Sequence, residues 1–272
     1  PDSGGATPDE PPSHVNPVAG IGPVQKIKAG YGFLEGPLWL AAEGYLLFND
    51  LNSNTTHKLI LPDTFSTYRK SNDRTNGMAT DPDGGLVFCE TDTGRVMRAP
   101  VDGELTVVAD SFLGTRFTRP NDTIVRSDGT IYFSDSGKAV FRVDPANTVH
   151  LVSNGIRPNG VALSPDEQVL YASNRNAVWQ FSVMTDGSTD GGSKLADTSG
   201  NVDGMGVDDA GNIYATVDAG LQIFKPNGTV WGTIGVPERP TNVSFGGIDR
   251  RTLFITASTG LYQVQTPIPG IP

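Results

Sequence analysis

Sulfur and imidazole are nearly absent from this chain, with 1 cysteine and 3 histidines in 272 residues. A single Cys89 excludes an internal disulfide and leaves a thiolate metal site without partners. It lies in the apolar run "LVFCE" and reads as a buried, inert thiol. His14 falls in the N-terminal stretch, and His57 and His150 fall on outer-strand segments, so a histidine-activated nucleophile has no support. There is no Gly-x-Ser-x-Gly turn and no phosphate-binding loop. Positive charge is also short: Lys and Arg total 20 against 30 Asp and Glu, a net charge of −10. That balance denies nucleic acid the basic patch its phosphates require, and it argues against an anionic membrane surface. No run approaches the roughly 20 apolar residues of a membrane-spanning helix, so no membrane insertion is expected. Long helices are missing too, because no window of a dozen residues keeps a helical apolar stripe without a Gly or Pro inside it.

Turn formers and β-formers are abundant instead. The chain has 33 Gly and 20 Pro, with Val, Ile, Thr, Tyr and Phe spread in short runs, which is the composition of many strands joined by many turns. One unit recurs: "AAEGYLLFND" (41–50), "DPDGGLVFCE" (81–90), "RSDGTIYFSD" (126–135), "SPDEQVLYAS" (164–173), "DDAGNIYATV" (208–217) and "IDRRTLFITA" (248–257). Each is an acidic or glycine turn followed by an apolar strand, and the spacing of roughly 40 residues is that of propeller blades. A second hairpin follows each unit, as in "TGRVMRAPVDGELTVVAD" and "KAVFRVDPANTVHLVSN", except that the last, "TGLYQVQ", lacks its partner. The spare strand "VQKIKAG" (24–30) can supply it and close the ring, hiding the sheet edges. The reading is all-β: a six-bladed β-propeller of four-stranded blades with a central metal channel, in one domain over 18–272. Residues 1–17, rich in Pro, Gly, Ser and acid, read as a disordered leader. Such a leader often follows a cleaved export signal, which gives a periplasmic or extracellular expectation and leaves a cytoplasmic one open.

In a propeller the innermost strands line the channel, and the turns leading into them open on one face. The residues at that phase are Glu35 in "FLEGPLW", Arg74 and Asn76 in "RTNGMATDPDG", and Asn121 and Asp122 in "RPNDTIVRSDG". Asn159 in "RPNGVALSPDE", Asp203 in "NVDGMGVDDAG" and Asn242 in "RPTNVSFGGID" complete the series. Each alone is an ordinary turn former. The Glu, Asn and Asp members of this series converge on one axis and offer only oxygen ligands, the set that hard divalent ions such as Ca²⁺ take. Mg²⁺, Mn²⁺ and Zn²⁺ remain open. Asp83, Asp128 and Asp209 sit across the strand start and read as turn residues.

At these residues the sequence resembles the SMP-30/gluconolactonase/luciferin-regenerating family of six-bladed propellers, over about residues 24–265. "EGPLW" (35–39), "RPND" (119–122), "RPNGVALSPDEQVLYASN" (157–174) and "DGMGVDDAGNIYAT" (203–216) carry the resemblance, in order and in phase with the repeat. It implies a lactonase or related esterase acting on a small lactone or ester with one divalent cation. By the same resemblance Glu35, Asn159 and Asp203 are metal ligands, and Asn121 is a further ligand or a water-mediated neighbour. Arg74 and Asn76 match the family's substrate-contacting pair, and Asp203 serves as general base. "YFSDSGKAVFRVD" departs from the family by passing directly from strand to strand, without the usual Pro and aromatic residues after the acid. A more open pocket is expected on that side. A monomer is expected. A non-catalytic propeller that binds a protein or glycan on its channel face is the alternative, and the convergent Glu35, Asn159, Asp203 set argues against it. A strictosidine-synthase-like enzyme, with other polar groups in the channel, is a third reading.

Overall fold

Short alternating runs punctuated by turns give a structure made only of strands. A computed structural model describes residues 15–100 and 104–271, and no helix occurs among them. The predicted leader lies almost wholly outside the described residues. Strand β1 (Gln25–Ala29) precedes blade one, which is β2 (Leu34–Leu40), β3 (Tyr45–Asp50), β4 (Thr55–Ile60) and β5 (Thr64–Lys70). Blade two is β6 (Thr75–Thr80), β7 (Leu86–Glu90), β8 (Arg95–Ala99) and β9 (Thr106–Ala109). A two-stranded hairpin, β10 (Ser111–Phe112) and β11 (Thr115–Arg116), follows. Blade three is β12 (Pro120–Val125), β13 (Ile131–Asp135), β14 (Ala139–Val143) and β15 (Val149–Ser153). Blade four is β16 (Val161–Leu163), β17 (Val169–Ser173), β18 (Ala177–Ser182) and β19 (Ser193–Asp197). Blade five is β20 (Met205–Val207), β21 (Ile213–Val217), β22 (Gly220–Phe224) and β23 (Val230–Ile234). Blade six takes β24 (Pro240–Gly246), β25 (Thr252–Ala257) and β26 (Gly260–Gln265) from the C-terminal end.

The sixth sheet runs β1-β26-β25-β24, so the N-terminal strand closes the ring as the sequence predicts. Gln25 opposes Gln263 and Ala29 opposes Gly260 in that closing pair. All six blades are antiparallel, four-stranded sheets.

The core is divided among the blade interfaces. Six apolar clusters each join two neighbouring blades. Leu34, Phe48 and Leu59 of blade one meet Phe254 and Leu261 of blade six, for example. Leu40 and Leu47 of blade one meet Met78, Phe88 and Met97 of blade two. Second strands such as β7, β13 and β21 are buried along their whole length, since both sheet faces meet a neighbour, and they read as nearly continuous apolar runs rather than alternation. The outermost strands keep water on their edges, as in β5 and β1.

The small hairpin β10–β11 has no counterpart in the repeat. Its two-residue loop, Leu113-Gly114, holds both residues at positive φ (49° and 79°), the turn that matches strand twist. Phe112 anchors it onto Phe141 of blade three, at a ring distance of 5.4 Å.

Candidate active site

The inner strands start at one mouth of the channel, and their pairing registers define two rings of residues. In blades one, two, three and six the register slips at this point: between Glu35 and Leu38, Thr75 and Met78, Pro120 and Thr123, and Pro240 and Asn242. In blades four and five the strand begins just after it, at Val161 and Met205. A bulge re-aims side chains that would otherwise follow the pleat. The upper ring is therefore Glu35, Asn76, Asn121, Asn159, Asp203 and Thr241. The lower ring is Gly36, Gly77, Asp122, Gly160, Gly204 and Asn242.

This phasing corrects the sequence reading for Asp122, which falls in the lower ring rather than beside Asn121, and in blade six. Asn242 belongs to the lower ring, one residue past the phase assigned to it, and Thr241 takes the upper position. The Thr241 hydroxyl is fully buried and donates to the Leu34 carbonyl at 2.7 Å, so it latches blade six to blade one. Asn242 extends instead across the axis, its Nδ2 3.4 Å from Asp122 Oδ1.

The lower ring is mostly glycine because the blades crowd the axis. A Cβ on Gly77 would stand 2.3 Å from Asp122 Oδ1, and one on Gly36 would stand 1.8 Å from the Asn76 carbonyl oxygen. Side chains on the second strands hold the ring backbone. Asn49 Nδ2 donates to the Asn76 carbonyl at 2.8 Å, Thr216 Oγ1 to the Thr241 carbonyl at 3.1 Å, and Ser134 Oγ to the Asn159 carbonyl. These latches were not anticipated. Their signal is a polar residue at one phase of otherwise apolar second strands, in "FND", "FSD", "YATV" and "FITA". Cys89 occupies that phase in blade two, buried as expected, and burial with the nearby Asp122 and Asp135 carboxylates pushes its thiol well up.

Glu35, Asp203 and Asp122 are all buried here. Burial, reinforced by the Asp203 and Asp122 charges, raises the Glu35 pKa well above the usual range, and its Oε2 accepts the Gly36 N–H at 3.2 Å. Burial pushes Asp122 up to about 7, although Oδ2 accepts the Val161 N–H at 3.0 Å. Asp203 is raised to about 6 by burial, with Arg239 and the Asn159 amide pulling the other way. Arg239 is the nearby counter-charge, its Nη2 3.2 Å from Asp203 Oδ2 and its Nε 3.0 Å from Asp218 Oδ1. Three buried acids share one half-exposed guanidinium, too few cations to keep them all ionised, and so they tend to hold protons at the axis.

The geometry thus brings Glu35, Asn121, Asn159 and Asp203 to one ring, with Asn76 beside them. Arg74 stands two residues above Asn76 at the rim, with positive φ (51°) and a guanidinium 3.8 Å from Asp92 Oδ1. Arg119, Arg157 and Arg239 hold the same position in blades three, four and six, so Arg74 is one of four rim arginines. The sequence reading took only the first, although "RTN", "RPN", "RPN" and "RPT" repeat the signal. The ring suits a hard divalent cation by donor type, with two carboxylates and two amide oxygens and no sulfur or imidazole. Among the described residues no three Asp, Glu, His or Cys side chains cluster at metal-binding distance. Any cation there relies on amide oxygens as well as acids.

A propeller with acids and amides at its channel mouth defines a class of channel-site proteins. Residues 33–259 match the SMP-30/gluconolactonase/LRE-like region, and the chain belongs to that family. It is 30% identical to a gluconolactonase of Zymomonas mobilis, over 91% of this chain and 82% of that protein. It is 32% identical to the pentonolactonase XacC of Haloferax volcanii, over 83% of this chain and 81% of that protein. The solved structure of a gluconolactonase from Xanthomonas campestris superposes with a TM-score of 0.85 at 26% identity, covering 93% of this chain and 92% of that one.

Proposed function

We propose that this protein hydrolyses lactones, opening a cyclic ester of a sugar acid or related hydroxy acid, with one divalent cation, Ca²⁺ first among the candidates. The carrying observation is the buried, under-neutralised group of Glu35, Asp203 and Asp122 at the channel axis, in a chain whose relatives include a gluconolactonase and a pentonolactonase. Glu35, Asn159 and Asp203 are the proposed ligands, with Asn121 as a fourth or as a contact through water. A cation held there would polarise the lactone carbonyl and stabilise the oxyanion.

The chain's own groups supply the rest. Asp203 acts as general base, taking a proton from the attacking water. Its pKa of about 6 leaves it ionised at neutral pH while still basic enough to accept that proton. Arg239 on Oδ2 orients the carboxylate. Arg74 is held only by an exposed, long ion pair with Asp92, worth about 0–1 kcal/mol, so it can turn to a substrate oxygen at little cost. Asn76 and Asn121 present amides to substrate hydroxyls.

The test is proton release from a panel of sugar, aliphatic and aryl lactones, on chelator-stripped protein with and without Ca²⁺, Mn²⁺, Mg²⁺ or Zn²⁺. Hydrolysis restored by a cation is the expected result. Full activity without any cation would remove the metal from the proposal, and no turnover on any lactone would remove the lactonase.

A further inference from the structure

The rim of the channel is electrically lopsided. On blades two and six its cations are spoken for: Arg74 pairs with Asp92, and Arg239 with Asp203 and Asp218 of blade five. On blades three and four they are not. Arg119, Lys138, Arg157 and Arg175 have no carboxylate within ion-pair distance among the described residues, in a chain with a net charge of −10. Two of them, Arg157 and Arg175, both exposed, line a shallow surface depression of about 370 Å³ shared with Ser136, Asn159 and Asn201, and no acid lines it.

The Arg157 guanidinium is held by the backbone, whereas Arg175 is fixed at its own backbone and keeps its side chain exposed. Arg157 N donates to Asn174 Oδ1 at 2.9 Å, and its Nη1 donates to the Gly137 carbonyl at 3.1 Å. Gly137 belongs to the short turn between β13 and β14. Arg175 sits in the two-residue turn Arg175-Asn176, closed by Asn174 N donating to the Ala177 carbonyl at 2.8 Å. Its φ is 51°, a conformation that favours Gly or Asn and disfavours a long side chain. The same depression touches Asn159, a proposed ligand of the reacting centre.

Resting on the lactonase reading, we infer that this site binds a second acidic group on the substrate. The preferred lactones carry a carboxylate or a phosphate on the carbons remote from the ester. Two guanidiniums in a depression free of carboxylates offer forked donors to a planar or tetrahedral anion, and a neutral hydroxyl would use neither charge.

The experiment compares three substrates: a neutral aldonolactone, the same lactone with a terminal carboxylate, and the same lactone with a terminal phosphate. Wild-type kcat/KM should favour at least one anionic form by about tenfold or more, and added salt should erode that preference. In Arg175→Gln and Arg157→Gln the anionic-to-neutral ratio should fall roughly 10- to 100-fold, the scale of one charged hydrogen bond. Arg175→Lys should recover part of it. The arm that responds names the anion. Equal kcat/KM for neutral and anionic lactones in the wild type, or an unchanged ratio in both Gln variants, overturns the inference. If no lactone is hydrolysed, calorimetry on the ring-opened acids decides separately. Tighter binding of the doubly acidic form that Arg175→Gln abolishes sustains the site without the lactonase, and equal binding of both forms rejects it.

Discussion

In the proposed reaction Asp203 faces two demands that few side chains meet together: it must be ionised to hold a cation and basic enough to take a proton. Burial raises its pKa, and Arg239 limits the rise. Asp203→Asn keeps the shape and removes both functions, so turnover should fall at least about 100-fold while the far-ultraviolet circular dichroism stays that of the parent. Activity within a factor of a few of wild type would remove Asp203 from the chemistry. Asn121→Ala should raise KM or the cation dissociation constant by about tenfold, the worth of one hydrogen bond to a charged partner; both at wild-type values would return Asn121 to a turn role. The lower ring makes a different claim. On Gly77 an added methyl meets the Asp122 carboxylate and its Cα at 2.3 and 2.6 Å, and backbone cannot step aside as a flexible side chain would. Gly77→Ala should cost about 1–3 kcal/mol in denaturant unfolding, the range of core overpacking.

Among elements, the strands were legible where hydrophobic period and turn chemistry agree. Six second strands announce themselves as apolar runs after an acidic turn, and "VQKIKAG" is legible as a spare because "TGLYQVQ" lacks a partner. The hairpin β10–β11 was not, since "SFLGTR" is six residues with no repeat to flag it. The phase of blade six was misread by one residue for a physical reason. An amide was aligned with amides, whereas the register follows the proline: Pro120-Asn121-Asp122 matches Pro240-Thr241-Asn242. Ring membership was legible for Glu35, Asn76, Asn121, Asn159 and Asp203, while Arg74 and Asp122, grouped at the same phase, fall at the rim and in the lower ring. The partners that hold the ring were not legible, because Asn49, Ser134 and Thr216 act on the next blade, 27, 25 and 25 residues along. The Thr241 hydroxyl tests the latch idea. It bonds the Leu34 carbonyl and Thr256 Oγ1 at 2.7 and 2.9 Å, both buried. Thr241→Val keeps the volume and strands these partners, so stability should drop about 1–3 kcal/mol, whereas Thr241→Ser should lose much less. Equal losses in the two variants would mean that packing, rather than the bond, holds the blades there.

For the whole molecule, closure of the ring concentrates charge that no single blade would hold. Glu35, Asp122 and Asp203 come from blades one, three and five and meet only because the blades circle one axis. Each has its folded pKa raised, so the folded state keeps protons that the unfolded chain releases near pH 4. Their contribution is therefore fully present below that range and is lost as pH climbs through about 6 for Asp203 and about 7 for Asp122. For chelator-treated protein, Tm should decline from about pH 5 to about pH 8. A bound cation reverses the sign of that demand, because it needs the carboxylates ionised. Saturating Ca²⁺ should then raise Tm little at about pH 5 and progressively more toward about pH 8, with proton release on binding visible in buffers of different ionisation heat. In Asp203→Asn the decline in the chelated protein should be shallower and the Ca²⁺ response smaller. A Ca²⁺ increment independent of pH would place the ion away from these acids, among surface carboxylates that are ionised across the whole range.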